Sequence, residues 1–419
     1  MPIGELFDVD KCCIGDRCLF IELFFLTPRI KMNVEEIRRD FPLLNKIVYL
    51  DNAATSILPT PTRRAIEDYM ERRAYMYPFD FTQFLTEVWD RPISQLLNAD
   101  PEETISIQST AEGLNRIFHG LTWNRSDNVV TCDLEYPAVV IPLFQLQQKW
   151  HFEIRLATHH NGQYPIDSVL NLIDDNTRAV VLSHVEWMGG WRHDLERISQ
   201  TAKDHNALMI VDPIQSLGAF EFDVKKMGID ALSAHGLKWL LAPFGIGVMY
   251  VRREIVEDLA PVYTGVGSLA NLKKLLDYYQ TDVSLIDAIK TWPIRTDIKK
   301  FQLSVPPMLG IVGLSRSIDY LLSLGLPNIE KRVLDLSEYL IRLLTEHEYK
   351  IFGPTDHTHR SGIVSFSSKA KDPKEICKQL VEQKIYISAR GNMLRVSPHL
   401  YNTEDELSRC IDAIVELDK

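Results

Sequence analysis

The chain has 419 residues, 45% hydrophobic and 25% charged, a balance that suits a soluble globular protein with a large core. Its 57 acidic side chains outnumber 46 basic ones for a net charge of −11, and no basic block suggests a nucleic-acid surface. Six cysteines (Cys12, Cys13, Cys18, Cys132, Cys377 and Cys410) are too sparse for a disulfide framework, and no Cys/His pair follows the first three at zinc spacing, so no metal site is expected.

The apolar run Phe20–Thr27 is too short to span a bilayer, is interrupted by Glu22 and is followed by no good cleavage site. Residues 1–31 therefore read as an extension, and a cytoplasmic protein without a membrane partner is expected. A short helix spans Asn33 to Asp40, and Ile47–Leu50 is a strand running into Asp51-Asn52-Ala53-Ala54-Thr55. Helices follow at 62–76 and 84–98. Strand Thr104–Gln108 then meets a helix opened by Ser109-Thr110-Ala111-Glu112.

Next come strands at Asn128–Cys132, Glu153–Leu156, Ala179–Ser183 and Leu208–Val211, alternating with helices at Val139–Lys149, Ile166–Leu172 and Asp194–Asp204. Strands at Ala231–Ser233 and Gly247–Val251 complete the series, which predicts an α/β fold with a mostly parallel sheet. Helices at Leu309–Leu324, Asn328–Thr345 and Thr403–Leu417, with strands at Ile363–Ser367 and Leu394–Val396, predict a small α+β domain. The expected organisation is a large domain at 49–299, a small one at 300–419, and a segment at 32–48 packed on the small domain.

The chemistry concentrates in two clusters. Asp212 follows the buried strand that ends at Val211, with Gln215 three residues on; Lys238 lies in Asp230-Ala-Leu-Ser-Ala-His235-Gly-Leu-Lys238-Trp239. An acid at a strand end and a lysine in a loop of small and apolar residues are what a pyridoxal 5'-phosphate enzyme needs. The amine forms an imine with the aldehyde, and the carboxylate keeps the pyridine nitrogen protonated. Apolar surroundings lower the lysine pKa, which favours imine chemistry. By itself Asp212 also reads as a helix cap and Gln215 as a turn residue. Ser109 with Glu112 reads either as a capping box or as a phosphate-binding helix start. Tyr136 stacks on a ring or packs at a strand end, and His184 lines the site or belongs to the core. Arg395 grips a carboxylate or forms a surface ion pair.

Six ordered marks give the chain a resemblance to class V aminotransferase enzymes of the pyridoxal phosphate fold type I, the family of cysteine desulfurases, selenocysteine lyases and kynureninases. They are Tyr49–Thr55, Thr110–Asn115, Ser183–Val185, Val211–Gln215, Asp230–Lys238 and Arg395–Thr403. The resemblance implies Lys238 as the catalytic lysine, Asp212 on the pyridinium nitrogen and Gln215 on the phenolic oxygen. It implies Thr110, Ala111 and His235 on the phosphate, Tyr136 on the ring, and Asn52, Ala53 and Arg395 on an amino-acid substrate. It also implies a homodimer with its active sites at the interface.

The departures bear on the reaction. Leu237 stands where the family has a phosphate-binding histidine, and Trp187 where it has an asparagine. Ser304-Val-Pro306 replaces Gly-Thr-Pro, so Ser304 is the candidate for the neighbouring subunit's phosphate contact. Between Ile387 and Arg395, where the desulfurases of the nearest type carry a long loop with a nucleophilic cysteine, this chain has only a few residues and no cysteine. Cysteine desulfurase-like or C–S lyase chemistry without that loop is the first expectation. Amino-group transfer to a keto acid, kynureninase-like hydrolysis and a catalytically lapsed cofactor-binding protein are the alternatives.

Overall fold

The structure is a computed structural model that describes residues 32–75, 88–89, 91–270 and 292–419. The expected extension with Cys12, Cys13 and Cys18, and the first part of the expected helix at 84–98, lie outside the described residues.

A short first strand, β1 (Val48–Tyr49), precedes a central sheet built from β2 (Thr104–Ile107), β3 (Asn128–Cys132), β4 (Glu153–Ala157), β5 (Thr177–Ser183), β6 (Leu208–Asp212), β7 (Ala231–His235) and β8 (Gly247–Val251). The spatial order is β2-β8-β7-β6-β5-β3-β4, and only β8 runs antiparallel to its neighbours. The reason lies in the connection. Parallel neighbours need a crossover of about a dozen residues or more, commonly a helix. The residues from Gly236 to Ile246 form no helix and fold straight back, so β7 and β8 pair as a hairpin with Lys238 in its loop.

Both faces of the sheet are covered, so β3 and β8 are buried at every position, which accounts for their unbroken apolar runs. The helix Leu195–Asp204 shows how a covering helix is specified. Asp194 caps it by accepting from the Arg197 amide at 3.2 Å, and Leu195, Ile198, Ser199 and Ala202 form one buried stripe.

A second sheet contains β9 (Ile351–Phe352), β10 (Val364–Ser367), β12 (Ser388–Arg390) and β13 (Met393–Val396), all antiparallel, in the order β12-β13-β10-β9. Between them, β11 (Ile385–Tyr386) pairs in parallel with β1. Leucines and isoleucines from the helices Leu326–Glu346, Pro373–Glu382 and Glu404–Leu417 pack with Val364, Phe366, Leu394 and Val396 into a separate core.

The stretch after β1 ties the two sheets together. Asp51 bridges to Ser397 beyond β13, and the Ser56 amide donates to the Leu237 carbonyl at 2.8 Å. The second sheet is thereby held against the loop that carries Lys238. Among the described residues no single helix is long and apolar enough to cross a membrane.

Candidate active site

The hairpin loop after β7 turns Lys238 inward, leaving it 9% exposed. Its backbone is anchored one residue earlier, where the Leu237 carbonyl accepts from Ser56 N, Ser56 Oγ and Thr55 Oγ1. Lys238 Nζ lies 5.5 Å from the centroid of the Tyr136 ring. Burial lowers the amine pKa to about 8, with Asp212 and Asp51 pulling up and Arg395 and Arg390 pushing down.

Asp212 ends β6 and is buried. Its Oδ1 accepts from the Ile214 amide at 2.9 Å, whereas Oδ2 has no hydrogen-bond partner. Burial raises the carboxyl pKa to about 7, opposed by the Ile214 amide and by the charge of Lys238. A buried carboxylate oxygen with no donor costs stability unless a ligand supplies one. The protonated ring nitrogen of pyridoxal phosphate is such a donor, and the Lys238 amine matches its aldehyde. The residues present therefore fit that cofactor.

Ser109 caps the helix Thr110–Gly120 by accepting from Glu112 N at 3.2 Å, while Glu112 reaches the Gln108 amide. Thr110 and Ala111 occupy its first turn, where N–H groups lack intrahelical acceptors. Thr110 Oγ1 accepts from the His235 amide at 3.0 Å, which joins this helix to the end of β7. His235 Nε2 accepts from the Gly245 amide at 3.0 Å, so a neutral ring carries its proton on Nδ1. Gln215 is buried, donating to Ala53 O at 3.1 Å and accepting from Trp239 Nε1 at 3.1 Å; one amide hydrogen remains to donate.

Arg395, on β13, is 1% exposed. It donates to Trp187 O at 2.9 Å and to Asp51 Oδ1 at 3.4 Å, and its Nε is unpartnered. The surface ion-pair alternative is therefore excluded. Burial, then the charge of Arg390, lowers its pKa to about 10.

Asn52, His184 and Ser304 have contrasting surroundings. The Asn52 carboxamide is committed to Ser397 O and the Tyr401 hydroxyl. The His184 amide donates to Asp212 O at 3.0 Å, while its ring Nδ1 lies 2.9 Å from Ser216 Oγ, Phe220 and Phe222 pack edge-on, and burial drops its pKa to about 3. Ser304 lies in an exposed cleft with Tyr263, Gln302 and Arg116.

Other residues near this site were given no role in the reading of the sequence. Arg390 on β12 acts electrostatically on both Lys238 and Arg395, and Asp51 on the same two groups. Glu135 accepts from the Ser183 amide and hydroxyl at 2.5 and 2.6 Å, which fixes the turn that carries Tyr136. Trp187, flagged as a departure, packs edge-on to Tyr136 with centroids 5.5 Å apart.

The family model described as aminotransferase class-V matches residues 48–410. A probable cysteine desulfurase of Methanothermobacter thermautotrophicus is 27% identical, over 93% of this chain and 99% of its own length. The apo structure of a cysteine desulfurase from Thermococcus onnurineus superposes with a TM-score of 0.84 at 26% identity, over 94% of this chain and 99% of that one. A cystine C–S lyase solved with its reaction product, cysteine persulfide, shares the fold with a TM-score of 0.79 at 21% identity, over 90% and 99%. The chain belongs to the class V aminotransferase family of pyridoxal phosphate-dependent enzymes.

Proposed function

We propose that the chain breaks a C–S bond at the β-carbon of an amino acid, as a lyase or desulfurase-like enzyme that uses no protein persulfide. The observation that carries this reading is the buried pair of Lys238, with a lowered amine pKa, and Asp212, with one orphaned carboxylate oxygen.

Asp212 would hold the ring nitrogen of the cofactor, Gln215 its phenolic oxygen, Tyr136 its ring face, and Thr110, Ala111 and His235 its phosphate. When bound, pyridoxal phosphate supplies an aldehyde for the substrate amine and a ring that draws electrons from Cα. Lys238 Nζ takes the α-proton, a task suited to an amine whose pKa lies near neutrality. Arg395, with Nε unpartnered, holds the substrate carboxylate, Ala53 lines the substrate side, and Asn52 fixes the backbone there through Ser397 and Tyr401. Tyr136 and Trp187 close the wall.

The described cysteines support a route without a protein thiolate. Cys132 and Cys410 are buried, and burial pushes the Cys377 thiol up to about 11. Residues 390–393 form a tight hairpin turn between β12 and β13, with Gly391 at φ +60°. Sulfur would then leave in a small-molecule product.

The same reading includes a cytoplasmic homodimer and the division into domains at 49–299 and 300–419, with 32–48 on the smaller. The dimer is supported by a groove lined by Met70, Val305, Pro307 and Leu309, which adjoins the Ser304 cleft through Val305 and Pro307. The test is to supply cysteine or cystine to the purified holoprotein. Cysteine should yield sulfide, pyruvate and ammonia, and cystine should yield cysteine persulfide, pyruvate and ammonia; amino-group transfer to an added keto acid with no sulfur release would overturn the reading.

A further inference from the structure

Behind the wall that carries Tyr136, three side chains from separate segments converge. Cys132 ends β3, Glu186 follows β5, and His193 precedes the helix Leu195–Asp204. The His193 Nε2 lies 3.3 Å from Glu186 Oε1 and 3.9 Å from Cys132 Sγ, and one ligand atom from each residue lies within 4.8 Å of the others. The three residues are 4% exposed or less, and Glu186 is 0% exposed.

The donors and acceptors do not balance. A single imidazole nitrogen faces both the sulfur and the carboxylate, and it serves only one of them at a time. Glu186 Oε2 has no partner at all, although its side chain is wholly buried. Such a carboxylate is expensive unless it takes up a proton or a cation meets it, and a cation also satisfies the sulfur and the imidazole that face it.

We propose that Cys132, Glu186 and His193 bind a divalent zinc ion. Ideal tetrahedral bonds to sulfur, nitrogen and oxygen place these donor atoms roughly 3.3–3.6 Å apart; the imidazole-to-carboxylate separation of 3.3 Å already matches, and the imidazole-to-sulfur separation of 3.9 Å shortens by a few tenths of an ångström on binding. A thiolate and a carboxylate neutralise the ion, which permits burial, and the mixed S, N, O set suits zinc over magnesium or calcium. Binding releases the thiol proton, and the carboxyl proton where Glu186 holds one, to solvent; the metal keeps its charge. His193 also lines a cavity of about 180 Å³ with Arg192, Asp194 and His359, a route of entry.

The ion would be structural. It fastens the end of β3 to the turn at residues 186–193, a turn already closed by Glu186 N to Trp191 O at 2.8 Å. That turn carries Trp187, whose carbonyl accepts from Arg395. The reading of the sequence finds no metal site because its ligands are scattered along the chain rather than paired at zinc spacing.

The experiment is zinc titration of chelator-treated holoprotein, with bound metal measured by mass spectrometry. Cys12, Cys13 and Cys18 are replaced by serine throughout to remove a competing source. One zinc per chain is expected. Binding should weaken at least tenfold in Cys132→Ala, Glu186→Gln and His193→Gln, each checked for retained cofactor absorbance. Cobalt in the parent protein should show a thiolate charge-transfer band, a readout that needs no variant to fold. Zinc well below one per chain, binding indifferent to these substitutions, or cobalt without the thiolate band overturns the proposal.

Discussion

Lys238 and Asp212 set each other's protonation, so a change at one is read at the other. Burial lowers the lysine to about 8, and the Asp212 charge works against that shift. In cofactor-free protein the amine reacts with aldehyde only when neutral, so loading with pyridoxal phosphate should speed up with pH and level off above about 8. A solvated lysine would keep gaining to about 10.4. In Asp212→Ala the inflection should move to lower pH, because the charge that favours the protonated amine is gone. Stopped-flow absorbance checks both, and an unmoved inflection would show that the two groups are not coupled. Arg395→Gln should raise KM for amino-acid substrates roughly 10–100-fold, in line with losing charge-assisted hydrogen bonds of about 1.5–3 kcal/mol, with a smaller effect on kcat. Lys238, Asp212 and Thr110 could be singled out in the sequence because each sits at a recognisable strand or helix boundary, and Arg395 because it is a charge inside an apolar strand. Arg390 and Asp51 could not, because their influence acts through space from β12 and from the stretch after β1.

At the level of elements, the site depends on how closely the helix Thr110–Gly120 lies on β7. A Cβ added at Gly113 would meet Ser233 Oγ at 2.3 Å and Ile107 Cδ1 at 2.9 Å. Ser233 Oγ also donates to Thr110 O at 2.9 Å, so this contact sets the height of the first turn. Gly113→Ala should cost about 1–3 kcal/mol of unfolding free energy, seen in a urea titration, and weaken cofactor binding as Thr110 is pushed off His235. Glu135 is a second fastening. Removing its carboxylate leaves two Ser183 donors buried without an acceptor, so Glu135→Ala should cost about 1–3 kcal/mol. Hardly any change in either variant would show that the region relaxes freely. The sequence placed these helices and strands within a few residues. It missed β9, β11 and β12, whose two or three residues are too few for alternation to register.

For the whole molecule, the exposed apolar groove needs a cover. Val305 is 68% exposed and Leu309 46%, and both adjoin the cleft that holds Ser304. In the proposed homodimer a second copy of the chain covers this groove, with Ser304 as the candidate contact to the partner's cofactor phosphate. On the proposed homodimer, the parent should sediment as a dimer, and the double variant Val305→Asp with Leu309→Asp should sediment as a monomer and lose affinity for the cofactor. A monomeric parent protein would remove the basis for Ser304 as a cofactor contact.

Local pattern was enough to determine the alternation of buried strands with amphipathic helices, the lysine in its apolar loop and the acid at a strand end. Those features rest on neighbours a few residues apart, whose spacing is written directly in the chain. Only the tertiary structure decided that β8 runs against its neighbours, that His184 turns into a core of phenylalanines, and that Cys132, Glu186 and His193 meet. Each of these outcomes depends on which buried groups compete for one space or one hydrogen bond, and that competition exists only once distant segments are packed together.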